Sequence, residues 1–288
     1  MRPVVLTIAG SDCSSGAGIQ ADLKSIEANG GWAATVITAV TAQGPGGVRD
    51  IHPVPVRSVE AQLSAAFDEL PVAAVKTGML VGARTVGAVV RVLRERRLPW
   101  LVCDPVVAAT SGATLLDTAG IRDLARKLLP LASLVTPNAA EAELLSGIVV
   151  RDLESAERAA RVILDLGPRA VLVTGGHLSG VDRATDLLVD SAGSMPLRGT
   201  ALDTPELHGT GCVLSAAIAT QLALGRPLRQ AVAEAKKYLT ETIRRAVPLG
   251  SGAAADPLFR SSPPARVRRG VDATSGGAYS LIGESRVV

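Results

Sequence analysis

The segment His208-Gly209-Thr210-Gly211-Cys212 has the composition of an anion-binding turn. Its glycines permit tight backbone turning, and Leu207–Gly225 contains no Asp, Glu, Lys or Arg, as befits a buried helix. Free N–H groups at such a helix start, aided by the helix dipole, attract phosphate. The same field would favour the thiolate of Cys212, making it a candidate base. The competing structural reading is a glycine-lined helix packed on a sheet, with Cys212 a small buried side chain. A second segment, Thr136-Pro137-Asn138-Ala139-Ala140-Glu141, follows a β-rich run. Asn138 suits a helix cap, and Glu141 could supply a carboxylate to Mg²⁺ bound to phosphates, often through water. Asp104, before Pro105, is a second candidate, although turn chemistry accounts for it equally. Gly16-Ala17-Gly18-Ile19-Gln20-Ala21 fits a dinucleotide fingerprint, but no acid occurs between Glu27 and Asp50 to take a ribose, so that reading is set aside. Lys24-Ser25 follows Leu23 instead of Gly and does not end a P-loop. His52, His177 and His208 are far apart, and Cys13, Cys103 and Cys212 lack zinc or redox spacing.

The elements that must position these residues alternate. Short β-rich runs are expected at Val4–Ala9, Thr35–Thr41, Ala73–Thr77, Trp100–Asp104, Leu134–Thr136 and Ala170–Thr174. Helices are expected at Ala17–Asn29, Val56–Leu70, Ala83–Arg96, Thr118–Leu129, Ala139–Leu145, Ser155–Asp165, Cys212–Leu224 and Leu228–Ala246. Asp186–Val189 and Met195–Leu197 read as an antiparallel hairpin. Repeated β–α–β units define an α/β chain with a mostly parallel, doubly wound sheet. Ligands of such sheets bind outside the strands' carboxyl ends, which points to the loops starting at Gly10, Gln43, Gly78, Pro105, Pro137 and Gly175. Residues 1–260 read as one domain. From about Ser261, Ser, Pro, Gly and Arg dominate, and 261–288 is expected to be a mobile tail whose deletion spares folding and activity.

Composition narrows the function. With 47% hydrophobic and 20% charged residues, the 288-residue chain can bury a full core; with 2% aromatics, Ala, Val and Leu must pack it. So few aromatics argue against a base-stacking surface. The net charge is +3, but the tail holds four of the 30 basic and two of the 27 acidic residues, leaving a nearly neutral body. Neither nucleic acid nor an anionic membrane is an expected partner. The polar residues and glycines of Leu207–Gly225 argue against a membrane span, and Val4–Ala9 is too short for a signal peptide core. An odd, unspaced set of cysteines fits a reducing cytoplasm.

Taken in order, eight segments over residues 4–245 resemble the hydroxymethylpyrimidine and phosphomethylpyrimidine kinases of thiamine biosynthesis, within the ribokinase-like superfamily. They are Ile8-Ala9-Gly10-Ser11-Asp12, Ser15 to Lys24, Val36 to Gln43 and Lys76-Thr77-Gly78-Met79-Leu80, then Asp104-Pro105-Val106 with Ser111-Gly112, Thr136-Pro137-Asn138 with Glu141-Ala142, Gly175-Gly176-His177 and His208 to Cys212. The resemblance implies a ribokinase-like three-layer α/β/α sandwich, ATP and Mg²⁺ as cofactors, a homodimer, and phosphorylation of 4-amino-5-hydroxymethyl-2-methylpyrimidine and then of its monophosphate. It implies that Gly10, Asp22, Gln43, Met79 and Val106 line the pyrimidine pocket. Asn138, Thr174, Gly175 and Thr210 would meet nucleotide or phosphate, and Glu141 and Asp104 the metal. Gly209, Gly211 and Cys212 would carry the chemistry, with Cys212 taking the substrate hydroxyl's proton. Two departures stand out: Thr174 where the family often has Lys, and Pro205-Glu206-Leu207 before His208, where polar or basic residues are common. A pyridoxal kinase is the nearest alternative, and a non-catalytic pyrimidine sensor is the alternative from another class.

Overall fold

The structure is a computed structural model that describes residues 1–44, 47–96, 100–109, 112–176, 184–199, 207–249 and 252–258. The expectations placed on Ser111, His177, Pro205, Glu206 and the 261–288 tail lie outside these residues. The first strand, β1 (Val4–Asp12), is apolar from Val4 to Gly10 except for Thr7 and is buried on both faces, the mark of a central parallel strand. Around it a nine-stranded sheet runs in the order β3-β2-β1-β4-β5-β6-β7-β8-β9. The strands are β2 (Trp32–Gly44), β3 (Gly47–Pro53), β4 (Val72–Thr77), β5 (Leu101–Cys103), β6 (Leu134–Val135), β7 (Ala170–Val173), β8 (Thr185–Asp190) and β9 (Gly193–Arg198). Strands β2, β1, β4, β5, β6 and β7 are parallel. The two edges are antiparallel: β3 on β2 on one side, the expected β8–β9 hairpin on the other.

Helices cover both faces. On one side α2 (Val56–Glu69), α3 (Ala83–Glu95), α4 (Thr118–Asp123), α5 (Ala139–Ser146) and α6 (Leu153–Leu164) enclose a core including Leu63, Val89, Leu128 and Ile163. On the other, α1 (Gly18–Ala28), α7 (Thr210–Ala223) and α8 (Leu228–Arg244) enclose Ile26, Val102, Ile218 and Val232. This is the three-layer sandwich expected, packed by aliphatic side chains. Helix α7 carries no charged residue and is predominantly apolar, and Val213–Leu222 is buried throughout, as a helix without a solvated polar face must be. Among the described residues no helix is long and apolar enough to cross a membrane.

Two expectations needed correction, and one element was missed. The helix expected at Thr118–Leu129 is an α-helix only to Asp123, followed by a π-turn at Leu124–Leu128 and a 3-10 turn at Leu129–Leu131; Pro130 lacks the N–H that would continue it. No loop starts at Gly10 or Gln43, because β1 runs on to Asp12, and β2 runs on to Gly44 and pairs back with β3. A short hairpin, β10 (Val247–Leu249) with β11 (Gly252–Ala254), follows α8, and Ala254 bridges to His208.

Candidate active site

The carboxyl ends of β1, β4, β5, β6 and β7 open into one cavity of about 500 Å³, where the rule for open α/β sheets places a ligand. Its floor near β1 and β2 is made by Gly10, Thr41, Gln43, Met79, Val106 and Leu115. Gly10 has no side chain because a Cβ there would come 2.9 Å from the Met79 sulfur. Met79 is held through its carbonyl, which accepts the Thr38 hydroxyl at 2.6 Å. Gln43 lines the same part of the cavity with an amide able to donate and accept.

At the middle of the cavity lie Gly209–Cys212. Gly209 caps α7 in the left-handed conformation, φ 78°, with no side chain capping the helix, so the first N–H groups remain free for an anion. A Cβ on Gly209 would come 2.0 Å from the Gly16 carbonyl oxygen and 2.9 Å from Ala17 Cα. The Gly16-Ala17-Gly18 segment is therefore the packing partner of this turn; Gly18 stands at φ 60° with a Cβ that would fall 2.4 Å from the Gly10 carbonyl oxygen, whereas Gly16 has room for one.

Facing the turn are Asp104, Thr136, Asn138 and Glu141. Asn138 and Glu141 form a reciprocal capping box at the start of α5: Asn138 Oδ1 accepts the Glu141 N–H and Glu141 Oε2 accepts the Asn138 N–H, each at 2.9 Å. Both are thus structural caps and cavity residues at once, so the two readings of this segment are not exclusive. Burial, with Asp104 alongside, pushes Glu141 up to about 8; Asp104 is likewise raised by burial, against the pull of Lys76 and Ser215. Two crowded carboxyls of this kind, beside the buried Thr136 hydroxyl that has no partner, form a hard-oxygen set that suits Mg²⁺ held largely through water. No larger His, Cys, Asp and Glu cluster able to hold a metal exists among the described residues.

Cys212 lies on the cavity wall, half-buried, but its thiol is not the low one expected from a helix start. Burial pushes it up to about 12; Lys76 pulls it down, Asp22 and Asp104 push it further up, and the Gly18 N–H pulls it down. The magnitudes decide the sign. A helix N-terminus is worth at most about 2 kcal/mol, whereas a rise from 9.0 to about 12 corresponds to about 4 kcal/mol.

Two other expected residues are displaced from the wall. Asp22 is fully buried beneath the cavity, bonded to Lys76 and Thr7, and does not line the pyrimidine slot. Gly175 is also buried; its N–H donates to Asp186 Oδ1 at 2.9 Å, and a Cβ would strike the Thr185 carbonyl. Thr174 and Gly176 reach the cavity in its place. Sequence reasoning also missed Lys236 and Asp186, which line the same end and pair at 2.7 Å. It also gave no role to Lys76, named only within a resembling segment, whose signal was a lone charge near the end of the buried strand β4.

A three-layer sandwich whose cavity pairs a slot lined by Met79, Val106 and Leu115 with a glycine-lined helix start and two crowded carboxyls defines a ribokinase-like phosphotransferase. The family model described as Phosphomethylpyrimidine kinase matches residues 12–256, and the chain belongs to that family. It is 42% identical over 251 residues to the Hydroxymethylpyrimidine/phosphomethylpyrimidine kinase of Haemophilus influenzae, covering 86% of this chain and 93% of that protein. It is 48% identical over 251 residues to the Thiamine biosynthesis bifunctional protein ThiED of Geobacter sulfurreducens, covering 87% of this chain and spanning only about half, 51%, of that longer protein. Among solved structures, the ADP complex of Bacillus subtilis pyridoxal kinase superposes with a TM-score of 0.82 at 33% identity, covering 88% of this chain and 97% of the other.

Proposed function

We infer that this protein transfers the γ-phosphoryl of ATP to the hydroxymethyl group of 4-amino-5-hydroxymethyl-2-methylpyrimidine, and then a second phosphoryl to the monophosphate. The observation that carries the reading is the single cavity joining the Gly10–Gln43–Met79–Val106 slot to the Gly209–Cys212 turn. A ring seated on Gln43 and Met79 can direct its hydroxymethyl toward the free amides. Asn138, Thr174, Gly176 and Thr210 are placed for nucleotide and phosphate, and Asp186 with Lys236 closes that end. Glu141 and Asp104 would hold Mg²⁺, which neutralises phosphate charge when bound. The chain's own work is positioning. The turn's N–H groups meet the equatorial oxygens of the transferring phosphoryl, the apolar slot excludes water, and Cys212, in its thiolate form, accepts the hydroxyl proton. A cytoplasmic homodimer is part of the reading. Its support is the three cysteines, all free, and Val40, half exposed on the β2–β3 ribbon; sedimentation velocity measures the mass.

The test is ADP release with the hydroxymethylpyrimidine, its monophosphate and pyridoxal in parallel. Fastest turnover with the two pyrimidines is expected. Faster turnover with pyridoxal favours the second reading, for which the Bacillus subtilis structure speaks, and no turnover with any of them favours a sensor. The amide of Gln43 is expected to select the ring: Gln43→Leu leaves ring polar groups unpaired and costs about 1–3 kcal/mol in hydroxymethylpyrimidine affinity, with ATP affinity nearly unchanged. Calorimetric titration of each ligand checks this, and equal weakening of both would make Gln43 a structural residue.

A further inference from the structure

Among the described residues, the largest fully buried side chain is a lysine. Lys76 leaves the end of β4 with no exposed surface, and its ammonium lies 2.9 and 2.8 Å from the two oxygens of Asp22 and 3.9 Å from Asp104 Oδ2. Asp22 is held in turn by the Thr7 hydroxyl at 2.6 Å. The Ser215 hydroxyl sits 3.0 Å from that same Asp104 Oδ2 and 2.9 Å from the Gly211 carbonyl, so its proton is shared between the carboxylate and the first turn of α7. A Cβ on Gly78 would come 2.9 Å from the ammonium, and one on Gly211 would come 3.9 Å from Asp104 Oδ2. Lys76, Asp104 and Ser215 therefore form a continuous column from the sheet to the underside of the Gly209–Cys212 turn.

A buried ion pair is a poor way to stabilise a core, since apolar residues of similar volume often do as well or better. What it does well is fix one geometry. We propose that Lys76 is a positioning residue for phosphoryl transfer: through Asp104 and Ser215 it holds the Gly209–Cys212 turn where its amides meet the transferring group. This rests on the kinase reading above. Lys76 touches neither substrate slot nor nucleotide end, so its loss should appear in the transfer step and not in binding. Misplacing reacting groups by about 1 Å can cost about 10²-fold in rate.

Lys76→Met alone strands Asp22 as an unpaired buried charge. The informative variant is Lys76→Met with Asp22→Asn, which removes both charges of the pair while leaving Asp104. The expected result is a folded protein with kcat lowered about 10²-fold and the KM for both substrates within about threefold of wild type. Ser215→Ala is expected to lower kcat by about tenfold, and the combination by less than the product of the two losses, because both act along one column. Shifted amide resonances of Gly209, Gly211 and Cys212 in the pair variant, read without substrate, separate this inference from the substrate assignment. If the wild type releases no ADP with any of these substrates, the kinase reading fails and the resonances still report on the column. A pair variant with wild-type kcat, losses that simply multiply, or unmoved amides would each overturn the positioning role.

Discussion

Replacing Cys212 with serine is expected to lower kcat at least about 10²-fold while nucleotide affinity changes little. The sulfur stands in the first turn of α7 beside the amides that receive the phosphoryl group, and those amides survive the substitution. Serine nearly keeps the volume but cannot ionise at any pH the protein tolerates. The wild type carries a further signature. Burial holds the thiol up to about 12, so the proton-accepting thiolate is a small fraction at neutral pH. Below its pKa that fraction grows about tenfold per pH unit, so kcat of the wild type should climb steadily with pH and reach no plateau while the fold survives. The serine variant should lack this climb. Stopped-flow or coupled ADP assays across pH measure both. A serine variant near wild-type rate, or a flat wild-type profile, leaves the backbone amides as the whole of the machinery.

Gly209→Ala is expected to be the most damaging single-methyl change in the site. The residue stands at φ 78°, and an added Cβ would fall 2.0 Å from the Gly16 carbonyl oxygen and 2.9 Å from Ala17 Cα. Both neighbours are backbone, so no side chain can swing aside. The left-handed conformation alone costs a residue with a Cβ about 1–2 kcal/mol. The turn must move, and its amides with it. Loss of one correctly placed donor to a developing oxyanion typically costs about 10²–10³ in kcat, and at least this loss is expected. Gly211→Ala is the control for the fold, since its Cβ would meet nothing nearer than Asp104 Oδ2 at 3.9 Å; its thermal midpoint should match the wild type. A Gly209→Ala enzyme with wild-type kcat would show that the turn is not the phosphoryl site.

What the sequence by itself determined is what local physics controls. Apolar period separates strand from helix, so Val56–Leu70 was legible nearly to its observed end at Glu69. An uncharged run with a glycine entry reads as a buried helix, and α7 is one. Asn138 three residues before Glu141 reads as a cap, and the capping box is there. The strand-end rule then gathers Gly10, Met79, Asp104 and Asn138 at one cavity. The tertiary structure decided the rest. Strand β3 exposes Arg49, Asp50 and His52 and has no apolar alternation to betray it; it exists because β2 offers an edge to pair with. Asp22 reads as a pocket residue until Lys76 arrives from β4 to claim both its oxygens. Cys212 reads as an activated thiol until the desolvation of its sulfur, with Asp22 and Asp104 near it, is known. Helix starts and caps act over one turn of chain, and residue types reveal them. Desolvation and charge pairing depend on which distant groups share a low-dielectric interior, and only the packed chain sets that.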